Sequence, residues 1–295
     1  MASENSACKV VLASAIARNL LREVSESLER LQRSPLLIGF LANDDPAARK
    51  YAEWTQRTCK ENQPGSNYSV DDPSGVIYRL AEVDREELEN RLVEANNDRA
   101  IDGIIVYYPI FNNRQDQYLQ QIPDITKDVE GLSHKYIFKL YHNERYLDQS
   151  QTQKCILPCT PLAIVKILDY LGTYNNILPF GNRLFGRTVT VVNRSETVGR
   201  PLAAMLANDG ALVYSIDVTG IQQFSRGEGI KKKMHEVIER DNMDLADCLK
   251  VSDVVISGVP GEAFALPTAH LKEGAVCVNF STEKVQLGGR SEVYS

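Results

Sequence analysis

The stretch TVTVVNRSETVGRPLAAMLANDGALVYSID, residues 188–217, decides the fold. It opens on the β-branched run TVTVV, which suits a strand buried on both faces of a parallel sheet. Turn-forming residues follow, and Pro201 has the fixed φ favoured at the start of a helix, which we predict to begin near it. Gly210 then ends the helix, and residues 211–216 form a second strand. The stretch therefore predicts one nucleotide-binding βαβ unit.

Asp217 ends the second strand roughly 20 residues after Gly199, where such units place the acid that binds the adenosine ribose. Free amides at the start of the helix are expected to hold the pyrophosphate. Because a carboxylate at this point repels a 2′-phosphate, the pattern favours NAD over NADP. The alternative is that Asp217 only caps a loop. The turn also lacks the general G-x-G-x-x-G pattern.

The turn has a more particular pattern, N-R-S-x-x-V-G-x-P at residues 193–201. It resembles the G-R-S-x-x-V-G-x-P turn of the methylenetetrahydrofolate dehydrogenases, with asparagine in place of the first glycine. That substitution and Asp217 are similar to the NAD-dependent monofunctional branch known from fungi. The resemblance implies that NAD is bound by Asn193, Arg194, Ser195, Val198, Gly199, Arg200 and Asp217.

A second part of the cofactor site is implied by residues 252–260, SDVVISGVP, which resemble the family's A-D-I-V-I-x-A-x-G strand and loop. In the family this loop runs beside the cofactor, so Gly258, Val259 and Pro260 join the expected NAD-binding set. Residues 221–250 come before it and are predicted to be a charged, helix-prone insertion, with residues 231–233 on a solvated face. The next strand is expected at residues 274–280.

The first half carries a motif that resembles the family's D-P-A-S-x-x-Y-x-x-x-K signature, here D-P-A-A-x-x-Y-x-x-x-T at residues 45–55. The resemblance implies that Tyr51 stacks near the pterin of the substrate. Thr55 replaces the lysine associated with hydrolysis of the methenyl product in bifunctional members. The alternative for Tyr51 is an ordinary half-buried aromatic residue of a helix.

Tyr107 and Pro109 correspond to two positions of the family's V-Q-L-P segment. Tyr107 replaces the glutamine that accompanies the lysine in bifunctional members, so the substitutions at positions 55 and 107 both favour a monofunctional enzyme. The resemblance implies that Tyr51, Tyr107 and Pro109 contact the substrate.

Asp128 lies in K-D-V-E-G, residues 127–131, which resembles the family's K-D-V-D-G loop. In the family this aspartate binds the 2-amino pyrimidine end of the pterin, and a carboxylate suits that role because it accepts two parallel hydrogen bonds. The alternative is a solvated turn aspartate paired with Lys127.

Cys159 lies in L-P-C-T-P, which resembles the family's P-C-T-P motif and precedes a helix predicted at residues 162–171. It is expected to line the cleft, and with Tyr51, Thr55 and Asp128 it completes the candidate catalytic set. A small buried thiol is the favoured alternative, because hydride transfer needs no nucleophile.

The remaining elements of the first half follow from periodicity and turn signals. We expect helices at residues 13–31, from Ala47 onward and at 83–96, and strands at 35–41 and 101–110. Residues 61–75 are rich in turn formers and charge, which predicts a long surface loop.

Composition excludes several classes of function. The net charge of −6 is unsuited to a nucleic-acid groove and offers no attraction to anionic membranes. The six cysteines and four histidines have no zinc-ligand spacing, so no metal is expected. The start of the chain is typical of neither a signal nor a transit peptide, and no stretch reaches transmembrane length, so we expect a cytoplasmic protein without a membrane partner.

These observations predict an α/β protein of two domains that flank a cleft: a folate-binding catalytic domain at residues 1–158 and a Rossmann-type NAD-binding domain at 159–295. The family resemblance covers residues 13–280 and implies oxidation of methylenetetrahydrofolate with NAD, in one-carbon metabolism and purine biosynthesis, by a homodimer. Family members continue into a P-x-T loop and a C-terminal helix, whereas this sequence ends GGRSEVYS, so part of the family core is expected to be absent. The alternatives are a bifunctional dehydrogenase/cyclohydrolase and a non-catalytic folate- or NAD-binding protein.

Overall fold

The computed structural model describes residues 8–31, 33–61, 75–227, 233–259, 264–281, 283–287 and 290–294. Residues 62–74, which make up most of the predicted surface loop, lie outside the described residues, as do Lys231, Lys232 and Pro260. The chain divides into two compact units, Met1–Ile110 and Phe111–Ser295. The domain boundary after residue 158 stays a prediction.

The first unit is built on a parallel sheet with the strand order β2–β1–β3. Its middle strand β1 has the sequence LLIGFL, and Phe40 and Leu41 are almost fully buried. The carboxylate of Asp45 accepts a hydrogen bond from the amide of Ala47, which caps the helix that follows β1. In chain order the elements are α1 (Ala13–Leu31), β1 (Leu36–Leu41), α2 (Pro46–Glu61), β2 (Ile77–Glu82), α3 (Leu88–Asn97) and β3 (Gly103–Val106).

Two predicted elements of this unit are shorter than expected. The helix predicted from residue 83 begins at Leu88, because the carboxylate of Asp84 accepts a hydrogen bond from the Glu86 amide and holds a turn there. The strand predicted at residues 101–110 spans only Gly103–Val106. Helix α1 has the predicted bounds.

The second unit is built on a sheet with the order β7–β6–β5–β4–β8–β9, in which β5, β4, β8 and β9 are parallel. Strand β4 is the TVTVV run, and helix α7 packs on the sheet through the fully buried residues Leu202, Ala203, Leu206 and Ala207. The predicted βαβ unit and Rossmann-type parallel sheet are confirmed. The elements are α4 (Arg114–Leu119), α5 (His134–Tyr141), α6 (Cys159–Tyr170), β4 (Thr188–Val192), α7 (Gly199–Asn208), β5 (Leu212–Asp217), β6 (Gly220–Ser225), β7 (Glu236–Glu239), α8 (Leu245–Val251), β8 (Val254–Ser257), β9 (Val276–Asn279), β10 (Glu283–Leu287) and β11 (Arg290–Tyr294).

The helix-prone insertion predicted at residues 221–250 is wrong for most of its length. Strand β6 turns back from β5 through Gly220, whose φ of 123° suits glycine, and pairs antiparallel with both β5 and β7. Phe224 buries its ring in the core, while polar pairs such as Gln222 and Glu239 link β6 to β7. Of the predicted helix only α8 forms, and Lys233 is exposed.

No helix in the described part of the chain is both long and apolar enough to cross a membrane.

Candidate functional site

The turn after β4 is shaped by the backbone of Asn193. Its φ of 91° is left-handed, a conformation that favours glycine and that asparagine adopts more readily than most residues. The side-chain amide of Asn193 donates to the carbonyl of Gly258 at 2.7 Å. The structure therefore brings together the two loops in which the sequence predicts cofactor contacts.

Both glycines of these loops make close contacts. A Cβ on Gly199 would lie 1.9 Å from the carbonyl oxygen of Asn193, and a Cβ on Gly258 would lie 1.9 Å from the ring of Phe280. The turn thus needs glycine at position 199 because the backbone folds back on itself. Helix α7 starts at Gly199, two residues before Pro201 and so near the predicted start. Pro201 lies in the first turn of the helix, which its fixed φ fits.

The amides at the start of α7 are not free, contrary to expectation. The hydroxyl of Ser195 accepts hydrogen bonds from the amides of Val198 and Gly199, both at 3.3 Å, and its carbonyl accepts one from Arg200 at 3.0 Å. The first amides of a helix have no partner within the helix, so a nearby side chain takes that place. The two bonds to the hydroxyl are long and therefore weak.

Asp217 holds the same turn from the end of β5. One carboxylate oxygen accepts a hydrogen bond from the backbone amide of Arg194 at 3.0 Å, and the other accepts one from Val218 at 2.6 Å. A carboxylate has about four acceptor positions, so two remain for other donors. Asp217 thus caps the turn, as the alternative interpretation has it, and its ribose contact stays a prediction.

The two arginines of the turn are engaged by protein groups. The guanidinium of Arg194 is buried and donates to the carbonyl of Ser215 at 2.9 Å and to the hydroxyl of Thr219 at 2.7 Å, which fixes the β5–β6 hairpin. Arg200 pairs with Glu196, four residues earlier in the turn that precedes α7, at 2.9 Å. The backbone of Arg194 lies in the turn, but its side chain supports the hairpin. Cofactor contacts by both arginines, and by the half-buried Val259, stay predictions.

The residues predicted to bind folate in the first unit form an aromatic cluster. The ring of Tyr51, 44% exposed on α2, meets the ring of Tyr107 edge to face, with centroids 5.4 Å apart. Tyr107 is only 1% exposed. The hydroxyl of Thr55 donates to the carbonyl of Tyr51 at 3.0 Å. Three of the predicted positions, 51, 55 and 107, are therefore in one place.

Sequence reasoning missed two residues of this cluster. The hydroxyl of Tyr78, on β2, lies 2.7 Å from that of Tyr107. The side chain of Asn43 donates to the carbonyls of Tyr107 and Pro109, at 2.7 and 2.8 Å, and so fixes the chain that carries both predicted residues. Pro109 itself is exposed. Gly39 lies on β1, the strand next to that of Tyr78. A glycine within a strand indicates that another group approaches the backbone closely, and this was the signal in the sequence for Tyr78.

The cluster presents neutral hydroxyl groups. Thr55 has no group that titrates. Burial, followed by the hydrogen bond to Tyr107, raises the pKa of Tyr78 well above its ordinary value. Neither side chain can act as a base near neutral pH. The surface next to Tyr51 is thus suited to binding and orienting a substrate.

Asp128 is a buried residue of the second unit, 6% exposed. Its carboxylate accepts hydrogen bonds from the amides of Glu130, Gly131 and Ser133, at 2.9 to 3.0 Å. This burial excludes the alternative of a solvated turn aspartate. Three backbone bonds fix the direction of the carboxylate, and its contact with the pterin stays a prediction.

Cys159 starts α6, and its thiol donates to the carbonyl of Val129 at 3.5 Å. Although the residue as a whole is exposed, desolvation of the thiol, followed by the nearby charges of Glu130 and Asp128, raises its pKa to about 11. A protonated thiol is a poor nucleophile. The electrostatics therefore favour a structural role for Cys159.

Among the described residues, no group of three or more histidine, cysteine, aspartate or glutamate side chains is placed to hold a metal ion.

Two family models match the chain. Residues 11–130 match the catalytic domain of tetrahydrofolate dehydrogenase/cyclohydrolase, and residues 158–293 match its NAD(P)-binding domain.

Curated relatives give more detail. A methylenetetrahydrofolate dehydrogenase [NAD(+)] of Schizosaccharomyces pombe is 52% identical over 95% of this chain and 83% of its own length. The enzyme of the same name from Saccharomyces cerevisiae is 50% identical over 94% of this chain and 85% of its own. A bifunctional protein FolD of Thermotoga sp. is more distant, 28% identical over 90% of this chain and 78% of its own.

The solved structure of the NAD-dependent 5,10-methylenetetrahydrofolate dehydrogenase from Saccharomyces cerevisiae superimposes with a TM-score of 0.82. It is 50% identical and covers 92% of this chain and 84% of its own.

Proposed function

The chain belongs to the tetrahydrofolate dehydrogenase/cyclohydrolase family, and from this premise we infer that it is an NAD-dependent methylenetetrahydrofolate dehydrogenase. It oxidises 5,10-methylenetetrahydrofolate to 5,10-methenyltetrahydrofolate in one-carbon metabolism. The observation that carries the monofunctional assignment is the pair of residues beside Tyr51, threonine at position 55 and the buried tyrosine at position 107. A second, hydrolytic activity has less support, because neither residue supplies the lysine or glutamine of bifunctional members.

The residues present fit NAD. Gly199 leaves space where a Cβ would meet backbone, and Asp217 presents acceptor oxygens at the end of β5. We propose that this turn, with the loop of Gly258 and Val259, binds the dinucleotide, and that the charge of Asp217 disfavours a 2′-phosphate. When bound, NAD supplies the acceptor for the hydride that leaves the one-carbon bridge of the substrate.

The protein contributes orientation to the reaction. We propose that Asp128 accepts hydrogen bonds from the pyrimidine end of the pterin and that Tyr51 stacks on the pterin, next to the exposed Pro109. The predicted substrate contact of Tyr107 is not supported, because its side chain is buried and instead packs against the ring of Tyr51. The two nitrogens that flank the one-carbon bridge share the positive charge of the product, so no acid–base pair is required. Holding the donor carbon against its acceptor is then the main source of rate.

A direct assay of the full 295-residue chain tests this function. Methylenetetrahydrofolate would be supplied as substrate with NAD or NADP in parallel, and the absorbance of the NADH or NADPH formed would be followed. We expect turnover with NAD, and no hydrolysis of methenyltetrahydrofolate above the uncatalysed rate. Equal turnover with NADP, or catalysed hydrolysis, would contradict the assignment. Circular dichroism of the same sample distinguishes an inactive folded protein from an unfolded one.

We further propose that the protein is a cytoplasmic homodimer that serves purine biosynthesis. The homodimer and the metabolic role are supported by the family resemblance alone, and the location is supported by the lack of a targeting pattern at the start of the sequence. Sedimentation equilibrium tests the dimer, cell fractionation tests the location, and a purine requirement on deletion of the gene tests the metabolic role.

A further inference from the structure

Two phenol hydroxyls meet across the middle strand of the first sheet. Tyr78 is on β2 and Tyr107 directly follows β3, while β1 lies between these strands. The register pairs Leu37 with Tyr78 and Gly39 with Ile105, two residues before Tyr107. Because side chains alternate along a strand, Tyr78, Gly39 and Tyr107 share one face of the sheet. Their side chains meet with the two hydroxyl oxygens 2.7 Å apart.

Gly39 makes this contact possible. A Cβ at this position would lie 2.4 Å from the hydroxyl oxygen of Tyr78 and 2.9 Å from the ring of Tyr107. The backbone of Gly39 is not left-handed, so glycine is needed here for space and not for conformation. The two phenols therefore fill the volume that a side chain on β1 would occupy.

The contact extends to the surface through the ring of Tyr107. That ring supports Tyr51 at an interplanar angle of 81°, and Tyr51 is the member of the cluster that is exposed to solvent. Aromatic pairs in this edge-to-face geometry have a preferred orientation. A hydrogen bond that fixes Tyr107 therefore also limits the positions open to Tyr51. Burial keeps the Tyr78 hydroxyl protonated and able to form that bond near neutral pH.

We propose that Tyr78 is a positioning residue for the folate substrate, acting through Tyr107 on the ring of Tyr51. This rests on the proposed function, because it takes Tyr51 as the residue that stacks on the pterin. Tyr78 does not touch the substrate in this arrangement. Its hydroxyl sets the orientation of a ring that does.

The variant Tyr78→Phe tests the proposal, since it keeps the ring and removes only the hydroxyl. Loss of one hydrogen bond predicts a rise of about 3- to 10-fold in KM for methylenetetrahydrofolate. Neither kcat nor the KM for NAD should change. Tyr174→Phe is the matched control, because its buried hydroxyl donates to Asp209 at 3.2 Å in the second unit. It should leave all three constants unchanged.

A second variant changes the residue on β1 against which Tyr78 and Tyr107 pack. Gly39→Ala places a methyl group against both phenols, so it should raise KM for the folate at least as much as Tyr78→Phe, again without a change in KM for NAD. An unchanged folate KM in both variants, or an equal rise in the two substrates' KM values, would overturn the proposal.

Binding of tetrahydrofolate, measured by calorimetry, separates this proposal from the proposed function. We expect its Kd to rise by the same factor of about 3 to 10 in Tyr78→Phe. If the wild-type protein binds tetrahydrofolate but shows no turnover, the proposed function fails. The ratio of the Kd of Tyr78→Phe to that of the wild-type protein still decides the role of Tyr78. If turnover is normal and both the Kd and the KM are unchanged, Tyr78 has no positioning role.

Discussion

The two ends of helix α7 are held in different ways. At its start, the hydroxyl of Ser195 accepts two backbone hydrogen bonds, each 3.3 Å long. At its end, the side chain of Asn208 donates to the carbonyl of Leu140 at 3.1 Å and accepts from the amide of His235 at 3.0 Å. Asn208 is buried, and it ties α5 and the segment before β7 to the helix.

The next residue, Asp209, strengthens the same end. Its carboxylate accepts hydrogen bonds from Arg145 at 3.0 Å and from Tyr174 at 3.2 Å. This difference between the two ends of α7 indicates which of them can bind a ligand. At the end of the helix, the side chains of Asn208 and Asp209 are engaged by protein groups, whereas the long hydrogen bonds at its start can be exchanged for those of a ligand.

The largest effect is expected from Gly199→Ala, which would disrupt the turn at the start of α7. The new methyl group would lie 1.9 Å from the carbonyl oxygen of Asn193, and backbone cannot move aside cheaply. We expect the free energy of unfolding to fall by about 3 kcal/mol or more, with loss of NAD binding. Urea unfolding and calorimetry with NAD measure the two effects.

Gly220→Ala is the matched control, since its φ of 123° is strained for alanine but no atom beyond its own chain neighbours lies within 4 Å of the new methyl group. It should cost about 1–2 kcal/mol. Equal costs for the two variants would show that the close contact in the turn is not decisive.

Asp217→Asn sharpens the comparison by removing charge and keeping shape. If the carboxylate binds the ribose, kcat/KM with NAD should fall about 10- to 100-fold, since hydrogen bonds to charged groups contribute about 1.5–3 kcal/mol. The ratio of NADP to NAD activity should rise. Asp209→Asn applies the same change at the other end of the helix and should leave that ratio unaltered. An unaltered ratio in Asp217→Asn would leave this residue only the role of holding the turn.

The free energy of unfolding should depend on pH through His235, whose backbone amide donates to Asn208 at the end of α7. Burial, followed by the nearby His142, lowers the pKa of His235 to about 4 in the folded protein. The unfolded chain, with a pKa of about 6.5, binds the proton more readily, so stability should fall as the pH drops from about 6.5 to about 4. We expect a loss of about 1–2 kcal/mol, after allowance for partial exposure.

Urea unfolding of the protein and of His235→Gln at several values of pH across this range measures the effect. The variant should lose that part of the pH dependence. Identical pH profiles for the two proteins would show that His235 does not titrate in this window.

The smallest effect is expected from Ser195→Ala. Its two hydrogen bonds are long, so their loss should lower the unfolding free energy by only about 0.5 kcal/mol. KM for NAD should rise about 3-fold, because the hydroxyl also lies at the proposed pyrophosphate position. Asn208→Ala makes the opposite test at the fixed end, where stability should fall more and KM for NAD should not change. A larger stability loss in Ser195→Ala than in Asn208→Ala would reverse the comparison.

Much of the cofactor turn could be predicted from the sequence, because its constraints are local. Asn193, Gly199 and Asp217 lie within one βαβ unit, and each has a residue type that its backbone position or charge explains. The capping of the helix amides by Ser195 was not foreseen, because it depends on where one hydroxyl points once the turn has closed.

The prediction failed where distant pairing decides the structure. Strand β6 is stable as a strand because it pairs with β5 and β7 on its two sides, and the side chain of Gln222 donates to Glu239 across the pair. The tyrosine cluster is a similar case. Gly39, Tyr51, Tyr78 and Tyr107 come from separate elements, and only the sheet register and the packing of α2 bring them together.

Gly39 has a consequence for how such a sequence can evolve. Any side chain at position 39 requires the phenols of Tyr78 and Tyr107 to shift, so replacement of this glycine is disfavoured while both phenols are present. If a smaller residue arises at position 78, the constraint on position 39 is relaxed. Positions 39 and 78 are thus expected to drift as a linked pair, with the order of substitutions set by the available volume.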